Sequence, residues 1–451
     1  MDLNQKIISL CKRRGFIFPS SEIYDGIGGV YDFGPLGVEL KNNIKKAWRE
    51  EMVLKHDNIV GLDASILMNS KVWQASGHLS AGFADELSEC KKCRKRFKAD
   101  EIEKNKCPEC GGELSKPKKF NLMMKTFIGP VEDKASLTYL RPETCQGIYI
   151  NFLNVLNSMR LKIPFGIAQI GKSFRNEINP KNFIFRIREF EQMEMQWFCN
   201  PKDADEYFDY WKNERLNWYE KLGMKKENLR AREIPEKDRA HYAKRQIDIE
   251  YKFAFSWGEI EGIHNRGDWD LKNHSKYSGK DLSYTDENGS KYYPYIIETS
   301  VGVERSLFAF LSEAYEEIEG GRTTTTKSIK ETEVLLKLPK CLAPIKVSVL
   351  PLVKNKPEIT KKAKEIYQML KPYFMCQYDE VSSIGKRYRR CDEIGVIVSV
   401  TCDFQTLKDN TVTIRERDTM KQIRVESSKL QGVIQRILKG ESFLKLGELV
   451  K

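Results

Sequence analysis

The chain has 451 residues, 40% hydrophobic and 31% charged, more than one hydrophobic core organises, which predicts a water-soluble protein of two or three domains. No apolar run approaches the ~18–20 residues of a membrane span, and the N-terminal MDLNQKIISLCKRRGF lacks the apolar core of a secretory signal, so a cytoplasmic location without a membrane partner is expected. The formal charge of +12 points to a polyanionic partner; from Leu342 onward 21 Lys and Arg stand against 13 Asp and Glu, +8 of that +12, so the polyanion is expected at the C-terminal module.

In chain order, the first dozen residues suit a short helix ending near Gly15. Glycines then recur at 26, 28, 29, 34 and 37, and DFGPLG (32–37) reads as a tight turn feeding a helix over about 38–54, with Pro35 at its start. Leu40, Ile44, Trp48 and Met52 form a stripe on that helix, either a core face or a subunit interface. The stretch is not a phosphate loop, because no G-x-x-x-x-G-K-[ST] is present.

Residues 90–110, CKKCRKRFKADEIEKNKCPEC, carry two C-x2-C knuckles thirteen residues apart, followed by Gly111-Gly112. Four thiolates from two tight turns close a tetrahedral shell with no open position, so Cys90, Cys93, Cys107 and Cys110 are expected to hold a structural zinc ion. The other seven of the eleven cysteines are scattered, which fits a reducing compartment.

The densest stretch is GKSFRNEINPKNFIFRIREFEQMEMQWF (171–198). It reads as two antiparallel strands, about 165–177 and 187–198, joined by a polar loop with Asn179-Pro180 and Asn182. A period of two places Ser173, Arg175 and Glu177 on one face of the first strand and Arg188, Phe190, Gln192 and Glu194 on one face of the second. Such a surface suits an anionic, ring-bearing ligand with a positive group. Residues 201–222 have helical spacing with Phe208, Trp211, Trp218 and Leu222 inside; 248–261 (DIEYKFAFSWGEIE) alternates as one strand; 294–300 (PYIIETS) is another, with Glu298 and Ser300 sharing a face.

A helix over 303–317 follows, with Arg305 in its first turn, where it can meet an anion together with the helix N-terminus. Residues 316–333 read as an exposed loop. Beyond it, an apolar run at 345–351, a helix at 358–373, a second apolar run at 395–400 and a hairpin from 411 predict a small α/β domain with a buried sheet.

With these segments laid out, the chain resembles a class II aminoacyl-tRNA synthetase, most closely the dimeric glycyl-tRNA synthetase family, over nearly its whole length. VYDFGPLGVELKNNIKKAW (30–48) is similar to the family's first motif, FRNEI with REFEQMEMQWF (174–198) to its second, and ETSVGVERSLFAFL (298–311) to its third. LRPETCQGIYINF (140–152) also matches, and GKRYRRCDEIG with DNTVTIRERDT (385–419) is similar to the anticodon-binding domain. Thr299 and Val301 depart slightly from the usual third motif.

The resemblance implies an α+β fold: a class II antiparallel sheet flanked by helices (1–317) with a zinc-ribbon insertion at about 78–120 and a helical insertion at about 199–245, a linker (318–341), and a C-terminal α/β anticodon-binding domain (342–451). It implies homodimerisation through the first motif. For ATP it implies Arg175 on the α-phosphate, Glu177 on the adenine amino group, Phe190 stacked on adenine and Arg305 on the γ-phosphate, with Arg175 and Arg305 catalytic. Asn176, Phe185, Arg188, Glu189, Ile260, Gly302 and Glu259 complete that set, Glu259 near ATP and a magnesium ion. For glycine it implies Glu143, Glu194, Glu298 and Ser300, with Phe190, Glu191, Gln192 and Arg96 contributing. For tRNA it implies Lys386, Arg387, Arg389 and Arg390 flanking Tyr388, a basic run with an aromatic platform.

The implied activity is glycine–tRNA ligation through a glycyl-adenylate. Two other readings stay open: a synthetase-like nucleic-acid-binding protein that has lost catalysis, and a ligase for another small amino acid such as alanine or serine. The first is expected to lose the motif arginines and the acidic pocket, which this chain keeps.

Overall fold

The computed structural model describes residues 2–80, 83–99, 102, 106–322 and 332–450. Contacts group the chain into two compact units: residues 19–32 and 48–309, and residues 1–18, 33–47 and 310–451.

The larger unit is built on a seven-stranded sheet: β1 (Ile59–Gly61), β2 (Phe165–Phe174), β3 (Glu189–Cys199), β4 (Leu229–Glu233), β5 (Arg245–Lys252), β6 (Trp257–Gly267) and β7 (Tyr295–Gly302). Its order is β4-β5-β6-β7-β3-β2-β1, antiparallel except that β1 runs parallel to β2. The expected hairpin, β2 with β3, is present, with Phe190 opposite Ser173 and Glu194 opposite Gln169. On the back of the sheet lies the helix Ala204–Lys221, which buries Phe208, Trp211 and Trp218, with Leu222 at its end half-buried.

The stretch expected as one strand over 248–261 is two strands, β5 and β6, because the chain reverses at Phe253–Ser256. There the Phe253 N–H donates to the Ser256 carbonyl at 3.0 Å, and Phe253 stacks on Phe255. Alternation of apolar residues continues through such a turn when the turn itself carries aromatics, so periodicity alone does not reveal it. A small ribbon at Ala84–Glu89, Arg96–Lys98 and Lys118–Asn121 carries the cysteine knuckles.

The other unit contains a six-stranded sheet: β8 (Val347–Pro351), β9 (Cys376–Tyr378), β10 (Val398–Cys402), β11 (Thr411–Glu416), β12 (Gln422–Glu426) and β13 (Glu448–Leu449), ordered β9-β8-β10-β11-β12-β13. β8 runs parallel to β9 and β10 and the remaining pairs are antiparallel. The all-buried β8 and β10 explain the two apolar runs of the sequence.

To this unit also belongs the N-terminal helix Leu3–Arg14. Asp2 caps it by accepting from the Gln5 N–H, and Gly15 ends it at φ +75°. Gly37, in the first turn of the helix Pro35–Arg49, has no room for a side chain: a Cβ there would lie 1.8 Å from the Phe16 carbonyl oxygen. That helix continues as a π-helical turn, Glu50–Leu54, and Leu40, Ile44, Trp48 and Met52 are each at most 1% exposed, the core reading of the stripe.

The helix expected over 303–317 stops at Ala314. Tyr315–Ile318 pairs instead with Glu333–Leu336, so the ends of the expected 316–333 loop form a two-stranded ribbon, while 323–331 fall outside the described residues. Among the described residues no helix is long and apolar enough to cross a membrane.

Candidate active site

Where β3, β7 and β6 run side by side, their register aligns side chains in rows. Glu194 on β3 faces Ser300 on β7, which faces Gly262 on β6; two residues along, Gln196, Glu298 and His264 form the next row. Of the residues expected from the sequence, Glu143, Arg175, Glu177, Phe185, Phe190, Gln192, Glu194, Glu259, Glu298, Ser300, Gly302 and Arg305 line one cleft over these rows.

One end of the cleft is acidic and largely buried. Glu298 accepts from Arg266 Nη1 (2.9 Å) and Gln196 Nε2 (3.1 Å), and its other oxygen lies 2.9 Å from His264 Nδ1, off the line of a good hydrogen bond. Arg266 is fixed in turn by Asp270 at 2.8 and 2.9 Å and lies 3.6 Å from the Tyr242 ring centroid. Burial pushes the Glu298 carboxyl up, but Arg266 and His264 more than offset this and hold it below the usual range. Glu143 behaves alike: burial raises it, while His78, 3.4 Å away, and Arg266 hold it well below normal. Glu194, hydrogen-bonded by the Thr144 hydroxyl, goes the other way. Burial and then the charge of Glu298 push it up to about 8. A neutral acid thus stands beside two ionised ones in the same cleft.

The other end carries two arginines. Arg175 donates through Nε to the Pro142 carbonyl (3.1 Å), and its guanidinium lies 5.4 Å from the Phe190 ring centroid. Arg305 donates through Nε to the Phe185 carbonyl (3.1 Å) and through Nη1 to the Glu259 carbonyl (3.0 Å); the Glu259 carboxylate is also 3.0 Å from Nη1. Burial raises the Glu259 carboxyl, and Arg305, then His264 and Arg175, more than offset it, so it is held ionised. Two guanidinium groups on one face can bind phosphate oxygens bidentately.

Residues 130–314 match the family described as the tRNA synthetase class II core domain (G, H, P, S and T), and residues 346–437 match the anticodon binding domain. The chain is 52% identical to the glycine–tRNA ligase of Treponema denticola, over 94% of this chain and 95% of that protein. It is 52% identical to that of Borreliella burgdorferi (95% and 96%) and 49% identical to that of Cutibacterium acnes (94% and 94%). The chain belongs to the glycine–tRNA ligase family. Among solved structures, the prolyl-tRNA synthetase of Cryptosporidium parvum superposes with a TM-score of 0.64 at 18% identity, covering 96% of this chain and 75% of that one, which shows the shared class II fold.

Other residues expected at the site lie outside the cleft of this family member. Arg188 donates to the Glu177 carbonyl (3.0 Å) and to the Gly28 carbonyl, so it braces the loop. Glu189 pairs with Lys172, and the Asn176 N–H donates to the Leu122 carbonyl (2.9 Å). The Glu191 N–H donates to the Glu304 carboxylate (2.9 Å), Ile260 is 1% exposed, and Arg96, on the cysteine ribbon, pairs with Glu89 at 3.1 Å.

In the helix Ile384–Glu393, Arg387 is not at the surface: it is 1% exposed and donates to the Pro351 carbonyl and, at 3.2 Å, to the Leu352 carbonyl. The Tyr388 hydroxyl bonds the Thr401 hydroxyl at 2.6 Å with Arg415 against the ring, and Arg390 is bound to Asp379. Lys386 is exposed.

Cys90, Cys93, Cys107 and Cys110 bring their sulfurs within 4.8 Å of one another, the closest contacts being 3.5 and 3.6 Å. A tetrahedral zinc ion with Zn–S of 2.3 Å separates its sulfurs by about 3.8 Å. The donor set and spacing fit that ion.

Sequence reasoning missed His264, Tyr242 and Gly262 in the cleft and Arg266 behind Glu298. A β-bulge explains the strand residues among them. Glu259 stands opposite Glu250 and Glu261 opposite Ile249, so Ile260 is an extra residue that reverses the alternation of β6. Counting by twos from Glu259 puts His264 on the wrong face.

Proposed function

We propose that the chain joins glycine to tRNA at this cleft in two steps. The glycine carboxylate attacks the α-phosphorus of ATP; the new P–O bond forms as the bond to the bridging oxygen breaks and pyrophosphate leaves. The ribose hydroxyl at the tRNA 3′ end then attacks the glycyl carbonyl carbon, loses its proton, and displaces AMP. No protein nucleophile is needed, and the chain's part is to hold two anions together against their repulsion.

Arg175 grips the α-phosphate and Arg305 the γ-phosphate. Phe190 stacks on adenine, Glu177 accepts from its amino group, and Phe185 and Gly302 complete the ATP wall. Glu143, Glu194, Glu298 and Ser300 receive the glycine ammonium, with Gln192 donating to the Ser300 hydroxyl at 3.2 Å. A magnesium ion bound with ATP would sit against the hard carboxylate oxygens of Glu259 and supply further charge neutralisation. Zinc on the four cysteines would be structural.

The observation that carries this reading is the pairing in one cleft of three largely buried carboxylates with two arginines. The reading takes the pocket as one for the smallest amino acid, with Gly262 in its lining, where a Cβ would lie 2.8 Å from His264 Cε1. Excluding a larger ligand from a small pocket is the easier direction of discrimination.

The same reading takes 1–317 as the catalytic domain, 318–341 as linker and 342–451 as the anticodon-binding domain of a cytoplasmic homodimer. On that last domain Lys386 and Arg389 remain candidates for tRNA. The loop after β10 adds Phe404, 50% exposed, as a ring on which a base can stack.

ATP–pyrophosphate exchange across the twenty amino acids tests the proposal. Exchange with glycine alone, together with charging of tRNA, is expected; exchange with alanine or serine instead, or none at all, overturns it.

A further inference from the structure

The bulge in β6 has a counterpart on the back of the sheet. Glu259 before it, and Gly262 and His264 after it, face the cleft, whereas Glu261 points away into the core. There it meets Arg215 of the helix Ala204–Lys221, Nε to Oε1 at 2.7 Å, both side chains 0% exposed. Arg215 also lies 4.5 Å from the Trp218 ring centroid and donates through Nη1 to Met52 Sδ at 3.3 Å, in the π-helical turn that ends the first-motif helix.

As a source of stability this pair is poor. Arg215 Nη2 has no hydrogen-bond partner among the described residues, the Tyr219 hydroxyl hydrogen-bonds Glu261, and buried ion pairs with an unsatisfied atom are commonly matched or bettered by apolar residues of similar volume. What the pair supplies is position. It fixes the residue immediately after the extra Ile260, and on the cleft side the residue immediately before, Glu259, holds Arg305 by both its carbonyl and its carboxylate, each at 3.0 Å.

We propose that Arg215 is a positioning residue for the ATP end of the site: through Glu261 it locks the bulge, and the locked bulge sets Glu259 and Arg305 for the phosphates. The inference rests on Arg305 as the phosphate ligand, but Arg215 itself never reaches substrate. Because Arg215 also holds Met52, it ties the end of the first-motif helix to that geometry.

The test is the double variant Arg215→Met with Glu261→Leu in the full-length protein, which removes both charges at nearly constant volume. Its thermal midpoint is expected to equal or exceed that of the wild type. In pyrophosphate exchange the ATP KM is expected to rise tenfold or more while the glycine KM stays within twofold; an ATP KM within twofold in this folded variant overturns the inference. If the double variant fails to fold, Arg215→Lys decides. An ATP KM raised with glycine KM unchanged supports a positioning role, and equal loss of both, or of neither, refutes it. Calorimetric titration with ATP alone reads the same loss without catalysis, so a wild-type protein that binds ATP but exchanges nothing would overturn the proposed activity and leave this inference to its own result.

Discussion

With Glu194 receiving the glycine ammonium, as proposed, glycine binding is expected to depend on pH in a calculable way. Burial, then the nearby charge of Glu298, push its carboxyl up to about 8, whereas Glu298 and Glu143 are held low by Arg266, His264 and His78. At pH 7 a group of that pKa is roughly nine-tenths protonated, and ionising it costs about 1.4 kcal/mol, a factor of about ten. The incoming ammonium favours the carboxylate, so binding at pH 7 should expel roughly 0.9 proton. Glycine affinity should therefore increase about tenfold between pH 7 and pH 9, where the free pocket becomes ionised, and fall above that as the amino group of free glycine loses its own proton.

The sign for folding is opposite. The native pKa lies above the unfolded one, so the contribution of Glu194 to stability is full below the usual carboxylate range and is lost as pH rises through about 8. Calorimetry of glycine binding in two buffers of different ionisation enthalpy counts the protons directly, and Glu194→Gln should abolish both the release and the pH slope while weakening glycine at every pH. A proton count near zero at pH 7, or a glycine KM flat from pH 6.5 to 8.5, would refute the assignment.

Arg305→Ala should lower kcat/KM for exchange by on the order of 3–4 kcal/mol, as for loss of one oxyanion-hole donor; a change below tenfold would remove Arg305 from the phosphate site. Gly262→Ala places a methyl 2.8 Å from His264 Cε1, so the glycine KM should rise at least tenfold with the ATP KM steady in the same assay. The purified protein should contain one zinc per chain by mass spectrometry, and Cys107→Ser should lose it and raise proteolysis within 84–121; a metal-free wild type that keeps the ribbon intact would refute the zinc site.

How much of this was legible in the sequence depends on which periodicity each segment obeys. The β2–β3 hairpin alternates without interruption, so parity places Arg188, Phe190, Gln192 and Glu194 on one face; the last three share the cleft, while Arg188, just before β3 begins, does not. β6 alternates with one extra residue, and nothing in WGEIEGIHNRG marks Ile260 as unpaired; the bulge is set by pairing with β5 and β7, a tertiary fact. In the sequence the basic run 386–390 reads as a linear patch. On the helix that forms there, Ile384, Arg387, Tyr388 and Cys391 fall at i, i+3, i+4 and i+7, the inward stripe of a helix, so Arg387 and Tyr388 turn inside. Composition counts charges but does not say which are inside.

The alignment of the substrate pocket in rows across β3, β7 and β6 has a consequence for translational fidelity. A register slip by one residue turns every side chain of a strand to the other face, so a strand mispaired by one removes Glu194 or Glu298 with Ser300 from the pocket in a single event. A molecule folded with that error has no partly altered pocket with a taste for alanine; it has no pocket. A folding error of this kind is therefore expected to give an inactive protein and not one that charges tRNA with the wrong amino acid.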